Sequence, residues 1–185
     1  MHDIEPYYLW QDTYISSEDE RSPFYGSIND EFRYTNKIYN YYIHPQWDSF
    51  DSTTLYLKLL FADYEEKFVI IELIGEWNDC IENDIMYLKR EVIDPLIKEG
   101  INKYILLVEN VFNFHGSDSD YYEEWKEEIS EDDGWICMVN VLDHVFEEMK
   151  RCQLHFFMNF GKNFNDILWQ KTTPTLLYEL VSQRI

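Results

Sequence analysis

Tyr104-Ile105-Leu106-Leu107-Val108 is continuously apolar, and Trp135-Ile136-Cys137-Met138-Val139-Asn140-Val141 is nearly so. Short apolar runs of this kind suit strands covered on both faces. Between them Tyr121 or Tyr122, Trp125 and Ile129 recur at helical spacing, with Glu123, Glu124, Glu127 and Glu128 turned outward. Strand, helix and strand in that order form a right-handed crossover, which lays the two strands side by side and parallel.

Working outward from this unit, Leu55, Leu57, Leu59 and Phe61 alternate with Tyr56, Lys58 and Leu60, the period of a half-buried strand. Asp63-Tyr64-Glu65-Glu66 turns the chain into a second strand, Phe68 to Ile74, ended by Gly75. So short a link predicts an antiparallel hairpin. Asn78 or Asp79 is the expected N-cap of a helix carrying Ile81, Ile85, Leu88, Val92 and Leu96 on one face and stopping at Gly100. Pro95 removes a backbone donor and predicts a kink or loosened last turn. Downstream, Val145, Phe146 and Met149 mark a helix, Leu154 to Phe160 a strand, and Thr173-Pro174 the start of a helix bearing Leu176, Leu177, Leu180 and Val181. The expectation is an α/β fold: a mixed, mainly parallel sheet with an N-terminal antiparallel hairpin and helices packed on it.

Residues 1–53 read differently. They are crowded with aromatic residues, among them Tyr7, Trp10, Tyr14, Phe24, Trp47 and Phe50, while Ser16-Ser17-Glu18-Asp19-Glu20 and Gly26 look like loop. Rings of that size are costly to leave in water. The segment is expected to form an extension packed on the 54–185 domain, with an edge strand near residues 34–43. Covering a groove or forming a subunit contact is the alternative.

With 15 Lys and Arg against 36 Asp and Glu, the formal charge is −21 and the isoelectric point about 4.4. A field of that sign repels nucleic-acid phosphates and anionic headgroups, so neither nucleic acid nor a membrane is an expected partner. No basic stretch followed by an apolar run marks a signal peptide, and no apolar stretch reaches membrane-spanning length. Cys80, Cys137 and Cys152 lack CxxC spacing and are expected as buried, reduced thiols, which points to a cytoplasmic protein.

The hairpin closing in Ile71-Glu72-Leu73-Ile74-Gly75-Glu76, the helix after it, and the strand running into Asp118-Ser119-Asp120 together resemble the STAS domain, which includes the bacterial anti-sigma-factor antagonists. Phe112-Asn113-Phe114-His115-Gly116 with Trp125 is similar to its divergent STAS-like branch, and the resemblance spans about residues 54–170. It implies a non-enzymatic module whose partner docks around the first turn of the second helix. In antagonist members a serine there, in Asp-Ser-Ser-Gly, is phosphorylated by a partner kinase. Here the string is Asp118-Ser119-Asp120-Tyr121, so that position falls on Asp120, which offers a fixed negative charge in place of a phosphate.

His115, Gly116, Ser117, Asp118, Ser119, Asp120 and Tyr121 form the densest polar cluster and follow a predicted parallel strand, the edge where open α/β sheets hold ligands. The same residues also suit a plain turn with Asp118 or Ser119 capping a helix. Trp77, at a strand–helix corner, is either a core residue or an exposed anchor beside this cluster. The string lacks the order of a calcium loop, and no zinc spacing, nucleotide loop or nucleophile elbow is present, so neither metal nor cofactor is expected. His155 is expected as a hydrogen-bonded core residue. The leading expectation is a binding or regulatory module taking a protein partner, basic if the acid field matters, or a small ligand. Rival readings are an enzyme using His115 or the carboxylates Glu72, Glu76 and Glu109 in a cleft, and a structural homodimer.

Overall fold

The computed structural model describes residues 4–30 and 32–185. Its main sheet has the order β3-β4-β5-β6, formed by β3 (Leu55–Asp63), β4 (Phe68–Asn78), β5 (Lys103–His115) and β6 (Trp135–Val139). β3 and β4 are antiparallel, with Leu57 opposite Leu73. β4–β5 and β5–β6 are parallel, with Ile71 opposite Leu106 and Ile105 opposite Cys137. The expected fold class is therefore the observed one.

Side-chain alternation sorts the sheet into two faces. Val69, Ile71, Leu73, Tyr104, Leu106, Ile136 and Met138 point to one side. There they meet a helical layer, α1 (Asp84–Tyr87), a π-helical stretch (Leu88–Ile93), α2 (Asp94–Lys98), α3 (Asp120–Ser130) and α4 (Asp143–Arg151). Phe68, Ile70, Ile105, Leu107, Cys137 and Val139 point the other way, against Trp10 from the N-terminal segment, Trp169, and α5 (Pro174–Ser182) through Leu177 and Val181. Both faces are covered, which is why the central strands read as unbroken apolar runs. The loosening expected at Pro95 takes the form of the π-helical stretch just before it, where the ladder shifts past a residue with no N–H to give.

Several expectations are corrected. Gly75 does not end β4, which runs on to Asn78. Gly75 sits at φ +126°, and a Cβ there would lie 2.2 Å from the Thr54 carbonyl oxygen, which accepts the Glu76 amide. Glycine is the residue that permits this approach. Gly75→Ala is expected to cost roughly 2–4 kcal/mol, read as a lower urea midpoint; an unchanged midpoint would show that Thr54 moves freely. β5 also outruns its apolar core. Two register shifts against β4 insert extra residues, so that Val111 and Phe114 still face the helices although simple alternation is lost.

The helix expected from Asn78 starts only at Asp84, and Ile81 is exposed rather than part of its apolar face. Leu154–Phe160 is not a strand. Gln153 adopts φ 62° after α4, Leu154–Phe156 forms a 3-10 turn, and only Asn159 pairs, with Cys137 of β6. His155 is consequently exposed and not in the core. The edge strand expected near residues 34–43 is instead a separate hairpin, β1 (Lys37–Ile38) with β2 (Tyr41–Tyr42). The N-terminal segment touches the main sheet at a bridge between Asp48 and Leu57 of β3. Of the N-terminal aromatic residues, Trp10, Phe24, Trp47 and Phe50 are buried, while Tyr8, Tyr25, Phe32 and Tyr41 stay exposed.

Candidate functional site

The ends of β4 and β5 define the site, since Asn78 pairs with His115 and the amides of Asp79 and Cys80 both donate to the His115 carbonyl, at 2.8 and 3.2 Å. From this clasp the chain runs through Gly116, Ser117, Asp118 and Ser119 into α3. His115, Ser117, Asp118 and Asp120 are exposed, and Gly116, Ser119 and Tyr121 are half-buried. Trp77 resolves the other way: it is fully buried, and so a support rather than a partner-facing anchor. Its indole Nε1 donates to Asp79 Oδ1 at 3.0 Å.

Asp79 is the residue that sequence reasoning under-weighted. Only 4 % exposed, it accepts hydrogen bonds from Trp77, from the Ile85 amide at 2.9 Å and from the Tyr122 hydroxyl at 2.6 Å. Burial pushes its carboxyl up to about 6, against the pull of those donors. Asp79 thus joins the β4 end, the start of α1 and the first turn of α3 beneath the exposed loop. Asp84 repeats the device next door, taking the Ser52 hydroxyl at 2.6 Å and the Asn78 amide at 2.7 Å. The predicted cap is not formed: Ser119 is the N-cap residue of α3, but no side chain there bonds the free amides. Nor does Asp79 cap in the usual way, because Asn83 occupies the N-cap position of α1 with φ 56°.

Gly116 is held between two thiols. Cys80 Sγ donates to the Gly116 carbonyl at 2.8 Å, and a Cβ on Gly116 would lie 2.7 Å from Cys152 Sγ. Cys80 is exposed and Cys152 half-buried, so of the three free cysteines only Cys137 is buried as expected. On the opposite side of the sheet end, His115 Nε2 lies 3.4 Å from Glu76 Oε1, which also accepts from Asn113 at 3.2 Å.

The remaining carboxylates named from sequence do not converge here. Glu72 faces the N-terminal segment, accepting the Tyr7 amide at 2.9 Å. Glu109 accepts from Asn140 and Gln170 on the wall of a separate cup at the ends of β5 and β6. Trp125 and Tyr122 are buried, leaving Tyr121, beneath the Arg90 guanidinium at 5.3 Å from its ring, as the aromatic residue nearest the surface at the start of α3. Asp94, Glu124 and Glu128 are grouped closely enough for a metal ion, but the Lys89 ammonium already sits among them, 2.7 Å from Glu128 and 3.5 Å from Glu124. A second cation there would meet that charge.

The geometry of this loop is the setting for comparison with known proteins. Three solved structures are similar to the chain at low sequence identity. The unphosphorylated anti-sigma factor antagonist SpoIIAA is 13% identical with a TM-score of 0.49, over 69% of this chain and 96% of that one. The phosphorylated Bacillus cell fate determinant SpoIIAA is 13% identical with a TM-score of 0.44, over 68% and 98%. A Thermotoga maritima protein assigned as an anti-sigma factor antagonist is 18% identical with a TM-score of 0.46, over 68% and 94%. No family model and no curated protein matches the sequence. No helix among the described residues is long and apolar enough to cross a membrane.

Proposed function

We propose that the chain is a non-enzymatic protein-docking module whose contact surface is the loop from His115 to Tyr121 and the first turn of α3. One observation carries this reading: a run of exposed polar side chains sits on a buried, fully hydrogen-bonded base of Trp77, Asp79 and Tyr122. A loop so supported presents a fixed shape at little ordering cost on binding. The cavities beneath the N-terminal segment, beside α5 and at the ends of β5 and β6 are lined by residues outside 112–122, and the loop itself offers an exposed surface of the kind a macromolecule contacts. Asp118, Asp120 and Glu123 give it negative charge, which favours a partner presenting lysine or arginine. Three free thiols fit a reducing compartment such as the cytoplasm.

The test exchanges the charge without touching the base. Asp120→Lys, at an exposed position, is expected to leave the thermal midpoint within about 1–2 °C of the parent, because exposed substitutions seldom exceed half a kcal/mol. Quantitative affinity capture from the source cells should then recover a set of proteins on the parent chain that is depleted on the variant. An identical set on both chains would remove this loop as the docking surface. A large fall in midpoint would instead identify Asp120 as a structural residue.

A further inference from the structure

We propose that the space enclosed between the N-terminal segment and β3 is a binding site for a small, neutral, polyhydroxylated molecule, a polyol or monosaccharide. The inner chamber has a volume of about 100 Å³ and shares Gln11, Gln46 and Lys58 with an outer cup of about 300 Å³. At roughly 10–15 Å³ for each water-sized body, the chamber takes about seven to ten non-hydrogen atoms, with the cup as its mouth.

The polar groups lining the chamber specify what fits. Ser16 is 4 % exposed and borders the chamber. Ser17 and Ser27, both half-buried, border the same space. Three serine hydroxyls on the wall of one chamber, each able to donate and to accept, suit a ligand that itself carries donors and acceptors. Asn29 and Gln46 commit their amide nitrogens elsewhere, Asn29 to Gln46 and Asp48, Gln46 to Asp30, leaving their side-chain oxygens as acceptors.

Charge is already balanced. Lys58, which reaches both spaces, is held by Asp48 at 3.0 Å and by the Gln46 carbonyl at 3.1 Å. An anion would have to compete with Asp48, and a cation would face Lys58. Tyr7, Trp10 and Tyr14 add aromatic surface, the complement of the C–H faces of a sugar or polyol. The walls are fixed from outside: the Gly26 amide closes on the Ser17 carbonyl at 2.9 Å, and Asp19 accepts the Tyr14 and Tyr64 hydroxyls at 2.9 and 2.6 Å. That ties the serine-bearing loop to the β3–β4 hairpin.

Saturation-transfer NMR and thermal-shift titrations with D-ribose and erythritol test this, with acetate and choline as charged probes of similar bulk. Saturable binding of at least one polyol and of neither charged probe is the expected result. Ser16→Ala should weaken it roughly three- to tenfold, the range for one lost hydrogen bond. The ligand-free Ser16→Ala protein should melt within about 2 °C of the parent, so that weaker binding reports the lost hydroxyl. Ser27→Leu, filling the chamber from the other wall, should abolish binding, and Ser16→Ala decides alone if that variant does not fold. Asp120→Lys should bind as the parent does, which keeps this site separate from the docking loop. Absence of a saturable polyol signal, equal saturation by acetate, or undiminished binding in Ser16→Ala would each overturn the proposal.

Discussion

Lys89→Met is expected to lower the stability of the protein by about 3 kcal/mol, near the lower end for breaking a buried ion pair. For a domain of this size that is a fall in melting temperature of roughly 6–12 °C. The Lys89 side chain is completely buried, and its ammonium bonds Asp94 and Glu128 and lies close to Glu124. Burial opposes the charge, yet those carboxylates hold it above the usual lysine range. Methionine preserves the buried stem but leaves three acids facing one another with Arg90 nearby, bonded to Asp94 at 2.9 Å and Glu124 at 2.6 Å. The three carboxylates are partly hydrated, which is why the low end of the range is chosen. Adding Asp94→Asn and Glu128→Gln to Lys89→Met should restore part of the loss. A single variant melting within about 2 °C of the parent would show that water replaces the ammonium without cost.

Acidification from pH 8 to pH 5 is expected to stabilise the protein, by several kcal/mol in all. Glu72, 3 % exposed, is pushed up to about 7 by burial, with the Glu109 charge adding to the effect and the Tyr7 amide opposing it. Asp79 is pushed up to about 6, also by burial. Both lie above their ordinary values of 4.5 and 3.8, so the folded chain holds protons that the unfolded chain releases. The resulting stability is complete below the unfolded values and is lost as pH rises through about 6 to 7, on the order of 3 kcal/mol for each group. Asp19 and Asp94 act in the opposite sense. Burial would raise both, but hydrogen bonds from Tyr64 to Asp19 and from Lys89 to Asp94 hold them below the usual range, so their contribution disappears only at lower pH. A maximum near pH 5 follows. Glu72→Gln, which keeps an acceptor for the Tyr7 amide, should flatten the decline between pH 5 and 8. Melting curves across that interval decide it: a midpoint that rises toward pH 8, or a Glu72→Gln profile parallel to the parent's, would contradict the assignment.

The architecture was legible where burial is symmetrical. Tyr104–Val108 and Trp135–Val139 are apolar at every position because helices cover one face and the Trp10, Trp169 and α5 layer covers the other. Legibility failed where polar residues carry on a strand. Glu76 and Asn78 are buried, Asn110 and Asn113 half-buried, and all four remain in register, so β4 and β5 reach beyond their apolar cores. The segment 154–160 misleads for the opposite reason. Its apolar residues fit a strand, but Gln153 and the 3-10 turn direct Leu154 and Met158 into the helical-face core and leave Phe156 outside.

At the site, the exposed loop was readable from composition and its foundation was not. Asp79 joins Trp77, Ile85 and Tyr122, the last of them 43 positions away, and no local pattern announces such a junction. Ser16 and Lys58 border one chamber for the same kind of reason, across separate elements. Trp77 at a corner is ambiguous until the neighbouring Asp79 is known to take its N–H.

The single-residue bridges at the two margins of the main sheet constrain how any companion chain can engage. On β6 the outer margin is taken by Asn159, whose carbonyl receives the Met138 amide and whose own amide bonds Ile136; on β3, Asp48 exchanges both backbone bonds with Leu57. A foreign strand running the full length of either edge would have to displace one of these latches. Each latch shortens the stretch of edge on which a companion strand could pair.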